Sequence, residues 1–327
     1  MSRRAAALAW ACGAAAVAAL PLLVKNAFLL HVVILILMWT VLGAAWNVLG
    51  GFAGQVSFGH AALFGIGAYT TIILFLKAGV APWWGIPLGG MAAALGSVPI
   101  GLICFRLRGP YFSLATLAVA ELAKLVALNW ESVTNGPVGF LITDLPQLRL
   151  LGHAVDWEAK TPFYALAALL MGFALFATAR LRQSRLGAYL VAIRENEDAA
   201  EAIGVDTVRA KVLTLALSGF LAGLGGGFYA CYFRYVDPDA VLNIGLSMEM
   251  VFIPMVGGLG TVCGPLVGAV FLTTVGEAVR ERFQVGHLIF YGLFMMIVIR
   301  FLPEGIWGRA ALALRGRRKE AKGVGAA

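Results

Sequence analysis

The chain has 327 residues, of which 61% are hydrophobic and only 13% are charged, and its mean hydropathy is +0.87. A soluble domain carries about 25% charged residues, so this chain could not cover a water-facing surface of its own size. The composition therefore excludes a soluble globular protein and predicts an all-α, polytopic membrane protein.

The distribution of charge predicts the topology. Hydrophobic runs predict about eight to ten transmembrane helices, some broken or re-entrant, from the spans 5–24, 28–49, 58–76, 86–105, 111–129, 162–179, 212–231, 246–262, 265–279 and 287–302. With a cytoplasmic N-terminus, seventeen of the 25 lysines and arginines fall on the cytoplasmic side and seven on the other. This bias predicts cytoplasmic N- and C-termini and explains the net charge of +8 without a nucleic-acid site.

The first predicted span, 5–24, follows Arg3 and Arg4, as the apolar core of a signal peptide would. Its apolar run is longer than such a core, and no clear cleavage site follows it. We therefore expect a retained helix, and one membrane domain over 1–308.

A first interruption runs from Asn47 to His60 and contains four glycines among several polar side chains. Backbone groups freed by a broken helix must be satisfied by protein or by a watery cavity. Gln55, Ser57 and His60 are therefore candidates to line a transport pathway, although His60 could instead satisfy freed carbonyl groups. Tyr69 and Thr70, on the helix that follows, are weaker candidates, and close helix packing is the alternative explanation for the glycines.

Glu121 lies about ten residues into the span 111–129, close to the middle of the bilayer. An ionisable residue at that depth is a functional-site candidate. Lys124 follows at i+3, where the two side chains can meet and neutralise each other. The external loop 130–161 follows this span.

The cytoplasmic loop 180–211 is the most polar segment between two apolar spans. Asn196 is a good N-cap, Glu197 and Asp198 suit the first turn of a helix, and Gly204 suits a left-handed C-terminal position. The loop thus predicts a short helix at 197–203, too short to be stable without a partner to pack against. We expect its alanines to approach a partner protein and its acidic residues to stay at the rim.

A second interruption, 254–265, reads PMVGGLGTVCGP and breaks the chain between two apolar runs. Two broken helices in opposite halves are typical of transport pathways built from repeats. The pattern leaves open whether 246–279 is re-entrant or forms two full spans. The tail 309–327 is basic, and we expect it to be disordered or to lie on anionic lipid headgroups.

Two kinds of chemistry have no sequence support. None of the seven lysines follows a glycine, so the Gly-Lys pair of a P-loop is absent and ATP would be hydrolysed on another chain. The four cysteines lie in or beside apolar stretches without metal-ligand spacing, so we predict no metal and no cofactor. The chain is therefore predicted not to be an enzyme.

Four blocks in order resemble the permeases of ABC importers of the branched-chain amino acid class. They are GQVSFGHAALFGIGAYT at 54–70, RGPYFSLATLA at 108–118, AIRENEDAAEAIGV at 192–205 and GGLGTVCGPLVGA at 257–269. The resemblance implies a bacterial inner-membrane permease that pairs with a homologous second permease, two cytoplasmic ATPase subunits and a secreted or periplasmic substrate-binding protein. The ATPases would dock on the loop helix through Arg194, Glu197, Ala199, Ala200, Glu201 and Gly204.

Alternatives remain open at the level of sequence. A urea or short-chain amide importer would share this architecture, and a stand-alone secondary transporter would place Glu121 and Glu249 at the centre of its mechanism. The sequence does not identify the cargo, nor does it distinguish a heterodimeric from a homodimeric pore.

Overall fold

The computed structural model describes residues 26–146, 149–150, 153–154, 156–282, 292, 296, 300 and 305–308. The predicted first span, most of the predicted last span at 287–302 and the basic tail therefore lie outside the described residues.

The described chain is helical almost throughout, which confirms the all-α, polytopic fold class. Its helices are α1 (Ala27–Ala53), α2 (His60–Ala78), α3 (Pro82–Cys104), α4 (Pro110–Asn129), α5 (Glu131–Thr134), α6 (Lys160–Gln183), α7 (Arg185–Glu195), α8 (Glu197–Ala202), α9 (Thr207–Phe233), α10 (Pro238–Val241), α11 (Ile244–Gly257) and α12 (Gly264–Arg282). A 3-10 turn spans Gly136–Val138, and four two-residue strands are β1 (Phe140–Leu141), β2 (Arg149–Leu150), β3 (His153–Ala154) and β4 (Tyr235–Val236).

Seven segments of the described chain are long and apolar enough to cross a membrane. Six are α1, α2, α3, α4, α6 and α9, and the seventh is Pro238–Gly257, which joins α10 and α11. α12 is helical where a span was predicted at 265–279, but charged residues at its end keep it outside this group.

The bundle is built around α1 and α9. α9 packs against α1, α2 and α3, while α1 also packs against α6, α11 and α12. Glycines permit the closest approach: a Cβ atom added at Gly67 of α2 would collide with the backbone of Gly223 of α9. Small residues bring membrane helices together in this way, because lipid offers no hydrophobic drive for association.

The first interruption is shorter than the sequence predicted. α1 continues through Gly50 and Gly51 and ends only at Ala53, where Gly54 caps it with a left-handed φ of 70°. The helix tolerates the two earlier glycines because each has a packing role: the Trp46 ring lies against Gly50, and Gly260 lies against Gly51. The non-helical segment is therefore 54–59.

The second interruption is also shorter than predicted. Pro254 lies inside α11, which ends at Gly257, and α12 begins at Gly264. The turn between them needs left-handed backbone at Gly258, with φ 132°, and at Gly260, with φ 67°. The segment 246–279 is thus two helices joined by a glycine turn.

The loops gather at two opposite ends of the bundle. At the end that carries α8, Arg108 contacts Asp198, Arg194 contacts Gly51, and Gly258 lies beside Trp307. At the opposite end, β1 pairs with β4 and Lys77 donates to the Ser132 carbonyl. This grouping agrees with the loop sides predicted from charge. We call the first the α8 end and the second the far end.

Candidate functional site: a short helix anchored to the bundle

Local capping defines α8. The Asn196 side chain accepts a hydrogen bond from the Ala199 backbone N–H at 3.0 Å, and Glu197 and Asp198 occupy the first turn. Gly204 has a φ of 87°, and Asp206 caps α9 by accepting from the Arg209 N–H at 2.9 Å. The predicted short helix is therefore confirmed, ending at Ala202 rather than at 203.

A buried ion pair anchors α8 to the bundle. Lys211, in the second turn of α9, places its Nζ 2.6 Å from Glu197 Oε1, with 1% and 17% of the two side chains exposed. The same ammonium lies 5.3 Å from the centre of the Phe105 ring at the end of α3. A buried charge is tolerated only when it is well paired, so this contact fixes α8 relative to α9.

The expectation that the three acidic side chains of α8 stay at the rim is therefore wrong for Glu197, whereas Asp198 is exposed. Glu201 is only partly exposed, and its carboxylate accepts a hydrogen bond from the Thr207 hydroxyl at 2.7 Å. From the sequence, Lys211 was counted only among the cytoplasmic positive charges that predict the topology. Its position at the bilayer edge of an apolar helix, shortly after an acidic segment, was the available signal.

A second, exposed contact reaches α8 from the loop between α3 and α4. Arg108 lies 2.5 Å from Asp198 and 3.6 Å from Glu201, and more than half of its side chain is exposed. The hydrogen bond to Asp198 and the nearby carboxylates raise the pKa of Arg108 above its ordinary value. The guanidinium therefore stays charged, but water screens the contact.

The two faces of α8 differ. Ala200 is 2% exposed and packs against the chain itself, which sequence reasoning did not predict. Ala199, Ala202 and Gly204 are exposed, and Ile203 is 78% exposed. The surface open to a partner is therefore formed by these four residues together with Asp198, and Ala200 packs behind it.

The two interruptions meet next to this helix. Asn47 is fully buried, donates to the Thr261 carbonyl at 2.9 Å and accepts from the Gly260 N–H at 2.9 Å. Arg194, at the end of α7, donates to the Gly51 carbonyl at 3.2 Å. The residues that precede α8 are thus hydrogen-bonded to α1, which in turn holds the second interruption.

The candidate pathway residues separate into different environments. Ser57 is buried, and its hydroxyl accepts from the Gly59 N–H at 3.2 Å. His60 is fully buried, with its Nε2 2.7 Å from the Ser218 hydroxyl, which itself donates to the Ala45 carbonyl. His60 and Ser218 therefore join α2 and α9 to α1, whereas the Ser57 hydroxyl bonds within the first interruption.

Gln55 is the candidate that reaches a groove. It is half-buried and lines a space of about 600 Å³ with Val56, Ser113, Leu117 and Met248, between the first interruption, α4 and α11. The structure does not bring Ser57 or His60 into that lining.

The remaining candidates lie elsewhere. Tyr69 is 7% exposed and its ring forms a T-shaped pair with Phe140, and its hydroxyl has no hydrogen-bond partner among the residues described. Thr70 is half-buried on the same helix. Glu121 is exposed on α4, and Lys124 pairs not with it but with Asp239 at 2.7 Å.

These features define a class of protein: a multi-pass membrane bundle with two glycine-rich breaks and a short helix anchored at one end. Residues 28–302 match the family model described as the branched-chain amino acid transport system permease component, so the chain belongs to that family. This confirms the resemblance seen in the four sequence blocks.

Named relatives agree with this assignment. The chain is 28% identical to the high-affinity branched-chain amino acid transport system permease protein LivM of Salmonella typhimurium, over 88% of this chain and 72% of the relative. It is 22% identical to the permease protein LivH of Escherichia coli, over 83% of this chain and 91% of the relative. The probable LivM of Methanocaldococcus jannaschii is 21% identical over 62% of this chain and 61% of the relative.

Proposed function

We propose that this chain is a membrane-spanning permease subunit of an ABC importer that carries branched-chain amino acids across a bacterial inner membrane. The observation that carries the proposal is α8 itself, a six-residue helix fixed to the bundle on one face and open on the other. The family match and the names of the relatives support the cargo class. The chain itself is not an enzyme in this proposal, because separate subunits hydrolyse ATP.

The anchoring contacts suggest how motion would enter the membrane. An ATPase subunit would dock on Ala199, Ala202, Ile203 and Gly204. Displacement of α8 would be transmitted to α9 through Glu197 and Lys211, which form a buried pair that cannot separate at low cost. It would reach α1 through Arg194 and the Gly51 carbonyl. The α8 end is therefore the cytoplasmic end in this proposal.

The outer face of α4 favours a second permease as neighbour. Exposed side chains follow one side of this helix at Tyr111, Leu114, Glu121 and Leu125, and Glu121 is near the middle of the span. A charged side chain facing lipid at that depth costs about 2.5–3.5 kcal/mol. We infer that a homologous subunit covers this face and that Glu121 and Gln55 border the pathway between the subunits.

The complete importer would contain two permeases, two cytoplasmic ATPase subunits and a periplasmic substrate-binding protein. Recognition of the cargo would rest mainly with the binding protein, because a permease must release what it carries. In this arrangement residues 1–308 form the membrane domain, and the basic tail at 309–327 is on the cytoplasmic side.

The docking assignment can be tested at Ile203. Ile203→Asp places a charge on the open face of α8 without touching the Glu197–Lys211 pair. We expect at least a tenfold loss of co-purified ATPase subunit and of ATP-driven leucine uptake, because an interface core excludes unpaired charge. Val138→Asp is a matched control, since Val138 is 71% exposed at the far end. Retained ATPase binding by Ile203→Asp would contradict the assignment.

A further inference from the structure

A cavity of about 360 Å³ lies between α1, α9, α11 and α12 and is separate from the groove beside Gln55. It begins near the far end, where α9 ends at Phe233, and reaches Trp39, about 12 Å further along α1 than His31. Its volume falls in the range of ~300–1,000 Å³ that is usual for small-molecule sites. The cavity is therefore large enough for a ligand within this one subunit.

The deep part of the cavity is apolar. Leu35, Met38, Ile253 and Leu272 contribute to its lining, and each is at most 9% exposed. These aliphatic side chains present a surface without hydrogen-bonding groups. A ligand that fits here has one apolar end of a few carbon atoms.

Charged groups line the same cavity. Glu277 and Arg280 are one helical turn apart on α12 and lie 3.5 Å from each other. Glu249 of α11 is half-buried and makes no hydrogen bond and no ion-pair contact among the residues that the structure describes, and the charge of Arg280 acts on it from beyond contact distance. A buried carboxylate without a cation in direct contact is costly inside a membrane protein, and a cationic group of a ligand would supply that contact.

We propose that this cavity binds a zwitterionic α-amino acid with a branched apolar side chain. The ammonium group contacts Glu249, the carboxylate contacts Arg280, and the side chain packs on the aliphatic lining. Arg280 can serve in this way because a guanidinium has five N–H donors, and the Glu277 contact uses only one side of it. The proposal rests on the proposed function, and it places a low-affinity cargo site inside one permease subunit.

The decisive experiment measures binding of radiolabelled leucine to the assembled importer in lipid nanodiscs, without the substrate-binding protein and without ATP. We expect saturable binding and at least tenfold weaker competition by isoamylamine, which lacks the carboxylate, and by 4-methylpentanoate, which lacks the ammonium group. Glycine should also compete at least tenfold more weakly, because it lacks the apolar side chain.

Two variants of the importer assign the contacts. Glu249→Gln should weaken leucine binding at least tenfold. Arg280→Gln should weaken leucine binding while leaving isoamylamine competition unchanged, and it alters a side chain that is 66% exposed, so folding is preserved. Glu158→Gln, in the exposed far-end loop, is the control and should bind as the unmodified importer does.

The outcomes separate this site from the proposed function. No saturable leucine binding, or equal binding by the unmodified importer and Glu249→Gln, overturns the site. Leucine uptake by the same preparation, once ATP and the binding protein are added, then shows whether the proposed function stands on its own. Competition by phospholipid headgroup analogues in place of leucine would also overturn the site, since it would identify a lipid as the occupant.

Discussion

The α8 end and the outer face of α4 differ in how much of each is packed against the rest of the chain. α8 has six residues and could not persist alone, yet caps, a buried ion pair and an exposed ion pair hold it in one position. α4 has twenty residues, but only 22% of its most apolar stretch is buried, against 72% for α9. The difference indicates that the α8 end is preformed within this subunit, whereas the α4 face is completed by another molecule.

The largest expected effect comes from breaking the buried pair. Glu197→Gln leaves the Lys211 ammonium, 1% exposed, without its counter-charge. Breaking one side of such a pair costs about 3 kcal/mol or more. We expect a clear drop in thermal stability in detergent and loss of leucine uptake.

Two comparisons sharpen this test. Glu195→Gln removes an adjacent carboxylate whose pair with Arg194 is largely exposed, and it should change stability little. Glu197→Gln combined with Lys211→Met removes the buried charge altogether, and it should recover thermal stability without recovering uptake. Full uptake by the double variant would show that α8 does not act through this pair.

The next effect concerns α4. Glu121→Leu removes a charge from a face that meets lipid when the subunit is alone. We expect the isolated chain in nanodiscs to gain about 2 kcal/mol, which is somewhat less than the cost of a charge at the centre of a span. The gain should shrink when the second permease is present, because Glu121 then borders the pathway.

The control for this test is Glu158→Leu, at an exposed loop position that should leave stability unchanged in both states. An equal gain with and without the second permease would mean that the α4 face stays in lipid. The inference that another subunit covers the α4 face would then be wrong.

The sequence predicts those parts of the site that depend on neighbouring residues. The cap at Asn196, the left-handed Gly204 and the cap at Asp206 each act within a few positions, so their pattern sufficed to predict α8. The glycine-rich breaks are likewise local, although packing against Trp46 and Gly260 lets α1 continue further than composition suggests.

The contacts that anchor the site are not local and could not be predicted from one sequence. Asn47 meets Thr261 across 214 positions, and Arg108 meets Asp198 across 90. The burial of Ala200 could not be predicted either, because a six-residue helix rich in alanine has no apolar periodicity to define its inner face. The contact between His60 and Ser218 is also non-local, since a polar side chain in a broken helix can line a cavity or join two helices.

The smallest expected effect concerns Arg108. Arg108→Ala removes an exposed contact to Asp198 and Glu201 but leaves the buried Lys211 pair intact. Because exposed pairs contribute little, we expect uptake to fall by about twofold or less. The difference from the unmodified importer should disappear at 1 M salt, where the screening length is about 3 Å. A loss as large as that of Glu197→Gln would show that the exposed contact, rather than the buried one, couples α8 to the bundle.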